Sequence, residues 1–141
     1  MEVVQVSVFL ENRSGGAADI VEVLARNAID IQALSLADMA DFGILRLIVE
    51  DADRTRRLLK EAGFTADTTR VVAVEVPDRP GGLSDTLRAL REHGIGIEYM
   101  YSAARRGGAG AVVVFRFDEI GRALEALRGA GVKVLDRLDK M

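Results

Sequence analysis

The chain has 141 residues, 49% of them hydrophobic, with a formal net charge of −3, one His and no Cys. That is enough apolar material for a packed core, and it excludes disulfides and thiolate zinc sites. A mildly acidic chain lacks the positive field that phosphate backbones reward, so nucleic acid is not an expected partner.

The first residues, Met1-Glu2-Val3-Val4-Gln5, carry neither a basic leader nor a long apolar run. The expected address is the cytoplasm, with no membrane partner. Val3 to Leu10 is apolar and β-branched, which predicts a strand. A loop with two glycines follows. Ile20, Val23 and Leu24 then fall at i, i+3 and i+4, which predicts an amphipathic helix over 16–27. Ile29 to Ala37 reads as a second strand, 38–41 as a turn and Ile44 to Glu50 as a third strand. Asp51 or Asp53 caps a second helix, whose buried stripe is Leu58, Leu59 and Ala62. Gly63 stands where a left-handed residue ends a helix, and a short strand near Phe64 to Thr68 follows.

The order then starts again. Val71 to Val76 predicts a strand, and Pro80 to His93 a helix with Leu83, Leu87 and Leu90 on one side. Strands follow over 95–103 and 111–117. Asp118 caps a helix with Ile120, Ala123, Leu124 and Leu127 at i, i+3, i+4 and i+7. Val132 to Leu135 ends the series. His93, before Gly94 at a helix C-terminus, suits a cap better than a catalytic role.

The second half repeats the first. Arg13-Ser14-Gly15-Gly16 recurs as Arg79-Pro80-Gly81-Gly82, and at the same offset Asp19 meets Asp85 and Leu24 meets Leu90. Later, Ala62-Gly63-Phe64 answers Ala130-Gly131-Val132 at a spacing two residues longer. The Gly-rich stretch 107–110 is the natural place for that insertion. The fold class expected is therefore α+β: two ferredoxin-like βαββαβ units, 1–69 and 70–141, each an antiparallel sheet with helices on one face. Leu45, Leu47 and Val49 point to one face, and Ile44 and Ile48 to the other. Both faces carry apolar residues, so self-association, as a homodimer, is expected.

The strand-to-helix loops are the candidate binding elements. Each places glycines at a helix start, where backbone N–H groups and the positive end of the helix dipole meet a carboxylate or phosphate. Pro80 suits the first helical turn. Asp78 or Asn12 would cap the helix or meet a ligand ammonium. Valine at both Gly15 and Gly81 would be expected to abolish a ligand response and leave folding largely intact. Duplication alone also copies a structural turn, so the pairing of the loops does not by itself establish binding.

The run Asp78-Arg79-Pro80-Gly81-Gly82-Leu83 resembles the D-x-P-G-x-L signature of the ACT domain. Asn12-Arg13-Ser14-Gly15-Gly16 resembles it with Ser14 in place of Pro and Ala17 in place of Leu. The similarity runs over nearly the whole chain, as in stand-alone tandem ACT proteins of bacteria. It implies a non-enzymatic regulator that binds an amino acid between paired ACT units and acts on a metabolic enzyme, with no cofactor. It also implies ligand contacts by Asn12, Arg13, Ser14, Gly15 and Gly16, and by Asp78, Arg79, Pro80, Gly81, Gly82 and Leu83. From their chemistry alone, Ser35 and Asp38 near the end of the second strand are further candidates, as are Tyr99 and Tyr101, which share one strand face. For Asp38 turn chemistry, and for the tyrosines packing, are the plainer roles.

Two other classes fit the same element order. RNA-recognition modules stack bases on sheet aromatics, and Phe115, Phe117 and Phe9 would be the platform here, with Arg105-Arg106 as a small basic patch. Against this stand 5% aromatic content and the negative charge. Acylphosphatases use an Arg and an Asn, for which Arg13 and Asn12 invite comparison. No nucleophile, base and orienting group converge in the sequence, however.

Overall fold

The computed structural model describes residues 3–11, 14–38, 41–104, 110–139 and 141. Its elements run β1 (Val3–Glu11), α1 (Gly16–Arg26), β2 (Ile31–Asp38), β3 (Phe42–Val49), α2 (Ala52–Glu61), β4 (Thr65–Pro77), α3 (Gly82–Glu92), β5 (Ile97–Ala103), β6 (Gly110–Phe117), α4 (Ile120–Gly129) and β7 (Lys133–Leu135). The chain forms two compact units, one of residues 4–69 with 140–141 and the other of residues 70–139 with 1–3. Each is βαββαβ, as the repeat requires.

In the first unit the strand order is β2-β3-β1-β4. Antiparallel pairing sets Val6 opposite Leu47 and Val8 opposite Leu45. These residues face the helices and pack with Ile20, Val23, Leu24 and Leu59. Burying each such side chain is worth about 1.5–3 kcal/mol. Ile48, on the other face, is buried as well. The helices end as their sequences dictate. Asn27 caps α1, its side-chain amide donating to the Val23 carbonyl at 2.8 Å. Asp51 caps α2 by accepting from the Arg54 amide at 3.1 Å, and Gly63 leaves the helix at φ +94°.

In the second unit β4, β6 and β5 lie in that order, and β7 pairs with β4. Val72 stands opposite Phe115 and Val74 opposite Val113. The core under α3 and α4 joins these to Leu90, Phe117, Ala123, Leu124 and Leu127. Phe115 and Phe117 stack at 5.2 Å between ring centroids, 8° from parallel. His93 is the C-cap of α3, donating its backbone N–H to Leu90.

Beyond shifts of one or two residues at strand ends, three boundaries differ from expectation in kind. The fourth and fifth predicted strands are one strand, β4. The segment 67–70 is polar but contains no Gly or Pro, and Thr68 and Thr69 are β-branched, so nothing breaks the extended backbone. Pro80 lies ahead of α3 in the turn, not inside its first turn. Gly81, at φ +87°, is the N-cap. Finally, Asp118 precedes the N-cap of α4, which is Glu119. The Asp118 carboxylate accepts instead from the Glu119 amide at 2.8 Å and from the Gly96 amide at 3.1 Å.

Candidate functional site

The loop before α3 is built by two glycines doing different things. Gly81 takes the left-handed conformation, which costs an L residue about 1–2 kcal/mol. Gly82 opens the helix and is buried. A Cβ at Gly82 would collide with the Pro77 carbonyl oxygen, so the end of β4 and the start of α3 touch backbone to backbone. The Gly82 amide donates to the Arg79 carbonyl at 3.0 Å, and the Asp85 amide to the Gly81 carbonyl at 3.0 Å. The amides of Leu83 and Ser84, between them, have no backbone partner among the described residues. Neither N-cap glycine has a side-chain cap. Asp78 therefore does not cap α3, contrary to one expectation, because a left-handed residue at 81 turns the chain before the helix begins.

A cavity of about 510 Å³ opens beside this helix start, inside the second unit. Glu75, Pro77, Gly82, Asp85, Thr86 and Val132 are among the residues that line it. Glu75 pairs with Lys133, also a lining residue, at 3.2 Å. Asp85 is held by Arg79 at 3.5 Å and by Arg88 at 3.6 Å. Thr86 is 3% exposed. Among the described residues its hydroxyl has no hydrogen-bond partner, whereas buried Thr55 on α2 bonds the Asp51 carbonyl at 2.9 Å. The cavity thus combines an apolar wall, two partnered carboxylates and one buried, unsatisfied hydroxyl.

Of the residues singled out in the sequence, Gly82 lines the cavity, and Arg79 reaches it through Asp85. Asp78, Arg79, Pro80 and Gly81 are exposed in the turn, and Leu83 packs against the core. In the first unit, Ser14 and Gly15 are exposed and Gly16 is buried. Asn12 and Arg13 lie outside the described residues. Ser35 is half-buried on β2 opposite Arg46. Asp38 ends that strand, and its side chain is also outside the described set. Tyr99 and Tyr101, half-buried on β5 opposite Arg116 and Val114, do not line the cavity.

Gly15 and Gly81 sit at φ +86° and +87°. Valine at either would be strained, being β-branched. The expectation that such a double variant folds normally is therefore withdrawn. Sequence reasoning also passed over Thr86, Glu75, Asp85 and Lys133. For Thr86 a signal was present: it sits between Leu83 and Leu90 on the apolar stripe, at the place Ile20 occupies in the first copy.

The aromatic platform expected for the RNA-recognition alternative is not assembled on the surface. Phe115 and Phe117 are buried in the core and present no face to a base. Phe9, which is exposed, has its ring 5.4 Å from that of Phe42, tilted by 32°. Arg105 and Arg106 lie outside the described residues. No cluster of potential metal ligands occurs among the described residues. No helix among them is long and apolar enough to cross a membrane.

Two βαββαβ units with glycine-opened helix starts define a tandem ferredoxin-like protein. The family model of the ACT domain pair matches residues 1–139, and the chain belongs to that family. It is 41% identical to a protein of known structure from Bacteroides thetaiotaomicron, with a TM-score of 0.89, over 96% of this chain and 92% of that one. The regulatory subunit of aspartate kinase from Thermus thermophilus is similar in fold, at 18% identity and a TM-score of 0.64, over 92% and 93% of the two chains. The corresponding subunit from Thermus flavus has 16% identity and a TM-score of 0.62, over 93% and 94%. None of the curated proteins compared with the chain matches it.

Proposed function

We propose that this protein is a non-enzymatic, amino-acid-binding regulator of a metabolic enzyme. The amino acid docks its carboxylate on the Leu83 and Ser84 amides at the start of α3, where the helix dipole also favours an anion. A paired ACT unit completes the site, and the protein works in the cytoplasm as a homodimer. Binding stabilises one arrangement of the pair, and the partner enzyme senses that shift through its own preference between arrangements.

What supports this reading most is one coincidence. The D-x-P-G-x-L run of the family signature contains Gly82, which lines a cavity large enough for an amino acid, and the amides that follow it, of Leu83 and Ser84, have no backbone partner among the described residues. The experiment is a thermal-shift screen against the twenty amino acids at millimolar concentration. A ligand that binds only the folded state at 100 times its Kd adds about 2.7 kcal/mol of stability. At least one amino acid should raise Tm by several degrees. Twenty flat melts would end the proposal.

A further inference from the structure

Thr86 poses the question. A hydroxyl buried without a partner costs about 1–3 kcal/mol, and a helical Thr commonly relieves that cost by bonding a carbonyl one turn back. Thr86 does not, and it lines the cavity. The hydroxyl is therefore positioned for a group that enters from outside.

The charged neighbours limit what that group can be. Asp85 already faces Arg79 and Arg88, and Glu75 faces Lys133. A charged ligand side chain would have to compete with the partners these carboxylates already have. A purely aliphatic one would leave the hydroxyl dry and unsatisfied.

The first copy differs at the equivalent positions. At the position of Thr86 it carries Ile20, fully buried in its core. At the position of Val132 it carries Phe64, packed against the same core. Apolar bulk stands where the second copy keeps a cavity and a hydroxyl.

We infer that the chain binds one amino acid per copy of the protein, in the second unit only, and that Thr86 selects a polar, uncharged side chain by hydrogen-bonding it. The inference rests on the amino-acid reading above and adds to it the ligand class and the unit that binds. Isothermal titration of the full chain with L-serine, L-threonine, L-asparagine and L-glutamine, set against L-valine, L-lysine and L-aspartate, tests it. The tightest ligand should come from the first four, with one bound per chain. Thr86→Val should weaken that ligand about tenfold, the effect of losing one hydrogen bond to a buried group. Its ligand-free Tm should be no lower than that of the unsubstituted protein. Thr86→Ser, which keeps the hydroxyl, should bind within about threefold of the unsubstituted protein.

A tightest ligand among the other three, two ligands per chain, or a Thr86→Val protein of undiminished affinity would each overturn the inference while the amino-acid reading stands. If none of the seven binds, the inference falls, and the twenty-acid screen then decides the reading itself.

Discussion

Pro77 and Gly82 meet so closely that no side chain fits between the carbonyl oxygen of one and the Cα of the other. This contact closes the turn between β4 and α3 and sets Gly82, at the start of α3, in the cavity wall. Gly16, the matching residue in the first copy, is looser. A Cβ there would come 3.0 Å from the terminal Cδ1 of Leu10, an atom at the end of a flexible side chain.

The two glycines should therefore respond differently to the same change. Gly82→Ala forces backbone apart and should cost about 1–3 kcal/mol, the range for overpacking a tight site. Gly16→Ala should cost less than half of that. Urea unfolding of the two variants side by side gives the comparison, and equal losses would show that the Pro77 contact is not rigid.

Gly81 and Gly121 separate conformational strain from space. Neither has close contacts that would block a Cβ: the nearest to Gly81 is the Arg79 guanidinium at 3.7 Å, and Gly121 has nothing within 4 Å. Gly81→Ala should nevertheless destabilise by about 1–2 kcal/mol, because its φ is positive. Gly121→Ala, in α4, should stabilise by up to about 1 kcal/mol through helix propensity. Thermal melts reporting the same sign for both would contradict the backbone assignment at Gly81.

Asp51 and Asp53 are two residues apart, and the sequence left open which of them caps α2. The structure assigns the role to Asp51. Asp51→Ala should cost about 0.5–2 kcal/mol, and Asp53→Ala no more than about 0.5 kcal/mol. Chemical denaturation resolves a difference of that size.

Phe115 lies at the centre of the second unit's core and is fully buried. Phe115→Ala should cost about 3–5 kcal/mol, a large share of the 5–15 kcal/mol that holds a typical domain together. Phe9→Ala, at an exposed position, should cost well under half of that. Near-equal losses in calorimetry would place Phe115 outside the core.

Much of this was legible before any coordinates. The stripe Ile20, Val23, Leu24 faces the sheet because helical periodicity leaves it no other place to hide. The alternation at Leu45, Leu47 and Val49 sets these three on one face of β3, although Ile44 and Ile48 on the other face left open which face meets the helices. The repeat of Arg-x-Gly-Gly carried the architecture from one half to the other. Less legible were features decided by backbone alone. Nothing in the letters Gly81-Gly82 says which glycine turns left-handed and which starts the helix. The continuity of β4 through Asp67 to Arg70 was obscured by polar side chains, although polar residues on an exposed strand obey the same pleat. The cavity was hidden for another reason: it arises from what Thr86 and Val132 fail to fill, and periodicity reports only what is present.

The Pro77–Gly82 contact also bears on how the two copies can drift. At position 82 a main-chain oxygen occupies the place of any side chain, so the genetic code offers that lineage a single workable letter. Position 16 meets first a leucine tip, which can swing aside, and the nearest main-chain oxygen, that of Glu11, stands off at 3.4 Å. Randomising both codons in a library and keeping the soluble clones should return glycine alone at the one and a mixture of small residues at the other.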